Sequence, residues 1–372
     1  MSTYLRTRID IEDFIRGCTF YGVGGGGNPL LGMAKMEAVL AKQGVIELVD
    51  PATIGDDEMT CCVFGMGSIA PTVNRPGAYD QYERVAPNPN MAALEELEKM
   101  TNCSISAVVA FEPGGVNTSI GLHAGAMLNR KIIDGDYSGR AVPELCQTIP
   151  AIYGETITPL AICDDWGNVL HITRTASTAS LEGIGKNVSI ITKAPDKFAI
   201  CAHAGMLLPG RKMKEYVIPY TMTKALEVGR TIREANEQGK DAPQMAATAV
   251  AGKVIFKGVV DAFTFESSGY MTGETSIQGC KEFDGQSMKI WFKNENHIAW
   301  RNGTVVATSP DIIEVVNLEN AEPITNTNLR EGAQVAVIGA PNPRYRTPQA
   351  LNYMGPKYFG FDLDYTEIEK IW

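Results

Sequence analysis

Length, composition and charge restrict the classes of protein to which this chain can belong. Its 372 residues are 44% hydrophobic. This length is too great for one ordinary small hydrophobic core, which predicts two domains in close contact. The chain has 33 Lys and Arg against 43 Asp and Glu, giving a formal net charge of −10. This acidic balance argues against nucleic acid or an anionic membrane as the main partner, and it favours small molecules or other proteins.

The sequence also predicts a cellular compartment. The segment from Met1 to Asp10 lacks the apolar region of a signal peptide, and nowhere do about 18 apolar residues run together as a membrane span requires. The eight cysteines are too sparse for the disulfide framework of a small secreted domain, so we expect reduced thiols. These features predict a cytoplasmic protein, and the Gly/Pro-rich loops and aromatic residues suggest a homo-oligomer.

Short apolar runs, Gly-rich turns and helical patterns alternate along the N-terminal part of the chain. The predicted strands lie at 18–23, 45–49, 61–64, 106–111 and 131–133. The predicted helices lie at about 30–42, 91–100 and 116–128, and Gly44 is expected to end the first of them. Strands that alternate with helices predict an α/β fold, with a mostly parallel sheet flanked by helices.

The pattern changes near Pro159. Apolar runs at 160–163 and 169–172 flank a polar turn and predict a hairpin. One long helix follows at about 221–237, and from Gly252 onward alternating strands turn about every 8 to 12 residues, as in a β-barrel or sandwich. We therefore predict two domains, an α+β arrangement overall. They are an N-terminal α/β domain at 1–162 and a β-rich C-terminal domain at 163–372.

The first glycine turn is a candidate substrate-binding site. It consists of Gly24, Gly25, Gly26, Gly27 and Asn28. Glycines between a strand and a helix leave backbone N–H groups free to approach an anion near the positive end of the helix. The turn lacks the complete dinucleotide fingerprint and the lysine of a P-loop, so no nucleotide cofactor is expected. The alternative is a tight turn whose glycines allow close packing.

A second turn, at 112–118, also joins a predicted strand to a predicted helix. Its polar groups would lie at the same carboxyl edge of the sheet, where open α/β sheets bind ligands. The candidate site residues here are Glu112, Gly114, Gly115 and Asn117. Asn117 could instead cap the helix. A carboxylate that closes a buried strand, as Glu112 does, needs a partner or a function.

The densest polar segment runs from Asp134 to Glu144. Asp134 and Asp136 would point the same way in a continued strand, where unpaired like charges repel. Arg140 or a divalent metal such as zinc could supply the required positive charge. Pro143 suits the first turn of a helix, which would put Glu144 beside the positive helix end. The alternative is a solvated turn with a salt bridge.

A long loop at 71–84 carries two arginines and two tyrosines. Such a segment could fold over a bound ligand as a lid. An ordered surface loop and a subunit contact are equal alternatives.

Several segments resemble the S-methyl thiohydantoin desulfurase family. They are the glycine turn 24–29, Gly65-Met66-Gly67-Ser68, the turn 112–117, and above all the segment 134–144 with Thr148. Further segments resemble the closing part of hydantoinase and oxoprolinase A-type proteins: Ser309-Pro310-Asp311, Thr325, Leu329-Arg330-Glu331-Gly332 and 355–360. The likeness covers nearly the whole chain. It departs from the family pattern at Asn28 and at Tyr137-Ser138, which leaves the exact substrate open.

The resemblance implies hydrolysis of a hydantoin-like heterocycle at the carbon between its two ring nitrogens, with a thiol as leaving group. This chemistry needs a base, a group that stabilises charge on the ring, and a pocket for a flat ring. Asp134, Asp136, Glu144 and Glu112 are the candidate carboxylates, and Arg140 is the candidate charge partner. A metal held by Asp134 and Asp136 would be the alternative to a free base.

A non-catalytic reading of the same resemblance is also open. In that case the chain would be an accessory or ligand-binding subunit of a hydantoinase or oxoprolinase-type system. Both readings predict a small heterocyclic ligand. Turnover by the pure protein separates them.

Overall fold

The structure is a computed structural model, and it describes residues 2–68, 85, 88–191, 199–267 and 269–372. The segment at 71–84, for which a lid, a surface loop and a subunit contact are the alternatives, lies outside the described residues. Within the described ranges, no helix combines the length and the apolar character that crossing a bilayer requires.

A mixed sheet forms the first half of the molecule. Its strands are β1 (Thr3–Leu5), β2 (Ile46–Val49), β3 (Met59–Ser68), β4 (Ile105–Ala110), β5 (Lys131–Asp136), β6 (Leu160–Cys163), β7 (Val169–Ile172), β8 (Ala199–Pro209) and β9 (Ile218–Pro219). They lie in the order β1-β2-β5-β4-β3-β8-β6-β7, and β9 pairs with β5. Strands β2, β5, β4 and β3 are parallel, which confirms the predicted parallel arrangement. Strands β6 and β7 form the predicted antiparallel hairpin.

Helices cover this sheet and connect it to the rest of the chain. They are α1 (Arg8–Tyr21), α2 (Pro29–Gln43), α3 (Pro89–Thr101), α4 (Asn117–Met127), α5 (Ile149–Ile152), α6 (Thr178–Ile191), α7 (Gly210–Tyr216), α8 (Thr221–Glu237), α9 (Ala242–Ala249) and α10 (Pro348–Met354). Helix α8 has the predicted bounds, and α2, α3 and α4 match their predictions to within two residues.

An antiparallel, curled sheet forms the second half. Its strands are β10 (Lys253–Ser267), β11 (Met271–Gly279), β12 (Ser287–Lys293), β13 (Glu295–Arg301), β14 (Thr304–Thr308), β15 (Ile312–Asn317) and β16 (Gln334–Ala340). They lie in the order β14-β13-β12-β11-β10-β16-β15. This sheet confirms the predicted β-rich C-terminal part and the α+β class. Strands β7, β8 and β9 come after the predicted domain boundary at residue 162 in the sequence, but they belong to the first sheet.

The strand predicted at 18–23 is wrong, because these residues end helix α1. Thr7 caps the helix and forms a capping box with Asp10, so the helical turn begins well before the apolar run. The buried side chains of Ile11, Phe14 and Cys18 recur at helical spacing. The β-branched and aromatic residues near the helix end favour a strand locally, and packing against α8 overrides that preference.

Close packing of α1 against α8 depends on two glycines. A Cβ atom at Gly17 would lie 1.7 Å from the carbonyl oxygen of Ala225, and one at Gly229 would lie 1.8 Å from that of Asp13. Helix backbones in such contact leave no room for a side chain. The two helices in turn contact the second sheet through an apolar cluster that includes Phe20, from α1. They therefore join the two sheets.

Candidate functional site

A cavity lies where β3 and β4 end, between helices α4 and α6 and the beginning of β13. Its empty volume, which includes the open mouth, is about 680 Å³. Its polar lining combines side chains from both halves of the chain. They are Glu112, Asn117, Glu144, Glu182, Lys186, Asn294 and Glu295.

Glu112 has its carboxylate held in a fixed orientation in this cavity. Its Oε2 accepts a hydrogen bond from the Val142 backbone N–H at 2.7 Å, and its Oε1 accepts one from the Asn117 side-chain amide at 2.7 Å. Asn117 is itself fixed, because its Oδ1 accepts from the Gly65 backbone N–H at 2.7 Å. The side chain of Glu112 therefore points into the cavity in one rotamer.

The environment of Glu112 changes its acidity. Burial raises the pKa of this carboxyl to about 7, against the effect of its two hydrogen-bond donors. The negative charge of Asp136 acts in the same direction as burial, and the positive charge of Arg140 acts in the opposite direction. A carboxyl group with a pKa near neutrality can exchange protons at physiological pH.

Glu295, the first residue of β13, brings a second carboxyl group to the same cavity. It is 3% exposed, and its Oε2 has no hydrogen-bond partner in the described part of the chain. The other oxygen, Oε1, lies so close to Gly25 that a Cβ there would be 1.9 Å away. Burial raises the pKa of Glu295 well above its ordinary value, and the negative charge of Glu112 raises it further.

An apolar wall faces these carboxyl groups. The rings of Phe64 and Phe111 stack with centroids 4.4 Å apart and planes inclined by 28°. Val116, Ile120 and Val142 extend this surface along α4 and the turn that follows β5. A flat, partly apolar ring would find van der Waals contact here, with the carboxyl groups at its edge.

Two charged clusters form the rim. In the first, Glu182 accepts hydrogen bonds from the Tyr270 hydroxyl at 2.5 Å and the Leu145 N–H at 2.9 Å, and Lys186 Nζ lies 2.9 Å from its Oε1. Burial lowers the pKa of Lys186.

In the second cluster, Glu144 pairs with Lys293 and accepts a hydrogen bond from the Tyr358 hydroxyl at 2.5 Å. Glu144 therefore lies at the cavity as a paired carboxylate. It directly precedes a 3₁₀ turn at Leu145–Gln147, so no helix begins at Pro143 as expected, and α5 begins only at Ile149.

The two glycine turns meet at this site, although α1 replaces the expected strand before the first of them. A Cβ at Gly26 would lie 2.5 Å from the Gly114 Cα, and Gly26 has a φ of +70°. The Gly26 carbonyl accepts hydrogen bonds from the N–H groups of Val116 and Asn117, at 3.0 and 3.2 Å. Gly26 and Gly27 line the cavity. Close packing of the two turns thus accounts for these glycines.

Other residues of the two turns also have partners within the protein. Gly24 packs against Asn326, and the Gly114 N–H donates to Thr118 Oγ1 at 2.8 Å. Gly115 lies within packing distance of Gly27 and Thr19. The side chain of Asn28 accepts from the Leu30 N–H at 3.0 Å and caps α2.

Asp134 and Asp136 are fully buried on β5 but do not line the cavity. Asp134 accepts from the Thr223 backbone N–H at 2.9 Å and from the Thr223 hydroxyl at 2.5 Å, in the first turn of α8. Asp136 accepts from the N–H groups of Ser138 and Gly139, both at 2.6 Å. Backbone N–H groups and a helix N-terminus therefore provide the positive partners that these carboxylates require. Burial raises the pKa of both side chains.

Arg140 is fully buried and also lies outside the cavity lining. Its guanidinium donates to the carbonyl oxygens of Ala141, Asn296 and Asp311, at 3.1, 2.8 and 2.9 Å. Asn296 and Asp311 belong to the second sheet and the turn before β15. Arg140 thereby attaches the loop after β5 to the second sheet, next to Glu295.

A metal centre is not formed by the side chains that the structure describes. No group of three or more His, Cys, Asp or Glu residues in the described ranges is arranged to hold a metal ion. The predicted metal ligands Asp134 and Asp136 accept hydrogen bonds from Thr223, Ser138 and Gly139 instead.

Sequence reasoning missed Glu295, Glu182, Lys186 and Asn294. The run Lys293-Asn294-Glu295-Asn296 is polar and follows an alternating strand, a pattern typical of a solvated hairpin turn. Its burial results from contact with the first glycine turn, which lies about 270 residues earlier in the chain. Helix α6 is amphipathic in sequence, but nothing local indicates that its polar side chains face a cavity.

Fold and cavity together define an α+β protein with a carboxyl-lined cavity between two sheets. Comparison with family models then gives a specific assignment. Residues 9–174 match the S-Me-THD-like N-terminal domain and residues 192–368 match the S-Me-THD-like C-terminal domain. The chain belongs to the S-Me-THD-like family, which confirms the resemblance to the S-methyl thiohydantoin desulfurase family.

A solved structure supports the fold. The match with the crystal structure of a protein from Chromobacterium violaceum covers 98% of this chain and 100% of the chain in that crystal structure. The TM-score is 0.73 at 19% sequence identity, so the likeness shows a shared fold. A comparison with curated proteins gave no match.

Proposed function

We propose that this protein is a hydrolase of hydantoin-like cyclic amides, with S-alkyl thiohydantoins as the substrate class. Water would attack the ring carbon between the two nitrogens, and a thiol would leave. One observation carries the proposal: the buried Glu112 carboxyl group, fixed by two donors and with its pKa raised to about 7, lines a cavity with an aromatic wall.

Glu112 is the general base in this proposal. Its orientation by Val142 and Asn117 supports the role, because a base must be within hydrogen-bond reach of the water that it deprotonates. The stacked rings of Phe64 and Phe111 provide a surface for a planar heterocycle. Family membership supports the same substrate class.

Thiol release from S-methyl thiohydantoin by the pure protein tests the proposal. We expect Glu112→Gln to lower kcat/KM at least about 100-fold, because the amide cannot accept the proton from water. Glu98→Gln is the matched control, since Glu98 also accepts from a backbone N–H and pairs with a side chain, but on α3, outside the cavity lining. Equal activity of the two variants would contradict the role of Glu112.

The same assay tests the remaining predictions. Asp134→Asn, Asp136→Asn and Glu144→Gln examine the other candidate carboxylates, and metal analysis with chelation examines the metal-assisted version. A ligand-induced rise in melting temperature without turnover would favour the non-catalytic accessory subunit.

A further inference from the structure

We propose that Glu295 and Glu112 form a carboxyl pair that shares one proton, in which Glu112 is the ionised base and Glu295 the protonated acid. This inference rests on the proposed hydrolase function for its chemical consequence. It assigns a catalytic role to a residue of the second sheet. Each half of the chain would then supply one of the two proton-transferring groups.

Hydrogen-bond donors distinguish the two carboxyl groups. Glu112 receives donors on both oxygens, from Val142 and Asn117, and donors stabilise the ionised form. Oε2 of Glu295 receives no donor in the described ranges, although it is buried. A buried carboxyl oxygen without a donor is best satisfied as a hydroxyl group, which can itself donate to a ligand in the cavity.

Charge leads to the same assignment. Two ionised carboxylates in one buried cavity repel each other, and burial alone disfavours the charged form of each. Arg140 attracts both groups, but its hydrogen bonds go to three backbone carbonyls rather than to either carboxylate. Lys186 is paired with Glu182. One retained proton relieves the repulsion, and the group whose Oε2 has no donor is the one that keeps it.

Packing fixes the positions of the Glu112 and Glu295 carboxyl groups relative to each other. Glu295 lies against Gly25, and the adjacent Gly26 lies against Gly114, two residues after Glu112. Arg140 binds the carbonyl of Asn296, directly after Glu295, at 2.8 Å. Arg140 is thus a positioning residue for Glu295, which explains its burial outside the cavity lining.

The pair completes the reaction with all protons accounted for. In the first step, the oxygen of water bonds to the ring carbon, and its proton passes to the carboxylate of Glu112. The electron pair of the C=N bond moves to the ring nitrogen, which takes the proton of Glu295. In the second step, the C–S bond breaks, and the leaving sulfur takes the proton from Glu112. The hydroxyl proton of the intermediate returns to Glu295 as the C=O bond forms, so both groups regain their starting states.

The dependence of kcat/KM on pH tests the pair in the active protein. Wild type should give a bell-shaped profile, because Glu112 must lose its proton as pH rises and Glu295 must keep its own. Glu295→Gln should lower kcat/KM by about 100- to 10,000-fold and remove the alkaline limb. Glu295→Asp keeps an acid on a shorter side chain, so it should retain that limb at a lower rate. It also serves as the second variant if the glutamine does not fold.

Glu314→Gln is the matched control for these variants. Glu314 is also a fully buried glutamate whose pKa burial raises well above its ordinary value, but it lies on β15, outside the cavity lining. We expect this variant to keep the wild-type rate and profile. A Glu295→Gln variant with the same rate and profile as Glu314→Gln would overturn the proposal.

Infrared spectroscopy separates failure of the pair from failure of the proposed function. At neutral pH, the C=O absorption of protonated carboxyl groups should contain one component from Glu295 and another from Glu314. Glu295→Gln should remove the first component, and Glu314→Gln should remove the second. Glu112→Gln should keep both components. If no ring is hydrolysed but Glu295→Gln removes its component, the pair stands and the hydrolase proposal fails. If wild type is active and Glu295→Gln leaves the absorption unchanged, the hydrolase proposal stands and the pair is wrong.

Discussion

His203 is a titratable side chain that supports the cavity from behind. Its ring is fully buried and stacks on Phe64, with centroids 5.6 Å apart. Its Nδ1 lies 3.0 Å from the carbonyl oxygen of Cys201, so Nδ1 carries the hydrogen of the neutral ring and donates it there. Burial lowers the pKa of His203 to about 4, which keeps the ring neutral beside the apolar wall.

His203→Leu should therefore make the protein less sensitive to acid. In wild type, the unfolded chain takes up a proton near pH 6.5 and the folded protein only near pH 4, so this histidine costs stability as pH falls between these values. Its removal should reduce that loss of unfolding free energy by up to about 3 kcal/mol. Denaturant titrations at pH 7 and pH 4.5 measure the difference. His171→Leu, at an exposed histidine, is the control, and equal pH dependence of the two variants would contradict the prediction.

The contact between the two glycine turns is the feature on which the site depends at the scale of elements. Gly26 combines a positive φ with an approach to Gly114 that leaves no room for a side chain. The turn places α2 and α4 side by side and brings Gly25 against Glu295. A small backbone displacement here would move both Glu112 and Glu295.

Gly26→Ala should therefore lower the free energy of unfolding by more than backbone strain alone would. Gly44 ends α2 with a φ of +73°, close to the +70° of Gly26, but an added Cβ there meets nothing within 4 Å. Gly44→Ala should lower the unfolding free energy by about 1 to 2 kcal/mol through strain alone. Gly26→Ala should lower it further and reduce kcat/KM, whereas Gly44→Ala should not affect kcat/KM. Equal melting temperatures for the two variants would show that the turns can separate without cost.

The two halves of the molecule depend on each other through buried polar contacts as well as through apolar packing. Arg140 joins the loop after β5 to the second sheet by hydrogen bonds to Asn296 and Asp311. Helices α1 and α8 pack on both sheets. The cavity lies between these contacts and takes its carboxyl groups from both halves. Its geometry is therefore a property of the assembled chain.

Arg140→Met should weaken this connection. It removes the donors of three buried carbonyl oxygens and the positive charge near the ionised Glu112, at a cost of about 3 to 5 kcal/mol. Calorimetry should show a lower melting temperature and a less cooperative transition. Arg130→Met is the control, because Arg130 pairs with Glu98 and is partly exposed, so its loss should cost about 1 kcal/mol or less. A similar effect of both changes would argue against the role of Arg140.

Local patterns determined most of the secondary structure from the sequence alone. Helix α8 repeats its apolar side chains at helical spacing over 17 residues, and the hairpin of β6 and β7 follows from two apolar runs around a polar turn. The segment at 18–23 shows the limit of such patterns. It favours a strand locally, but a capping box at Thr7 and packing against α8 make it the end of a helix.

The site residues likewise divide into those that the sequence identifies and those that only the fold brings to the cavity. Glu112, Asn117 and the glycine turns could be selected from the sequence, because a carboxylate and glycines between a strand and a helix are recognisable locally. Glu295 could not be selected, since its burial comes from contact with Gly25, far away in the chain. The partners of Asp134 and Arg140 were likewise decided by the tertiary structure. Sequence determines periodicity and turn chemistry, which act between neighbours, whereas burial and the pairing of charges depend on segments that meet only when the chain folds.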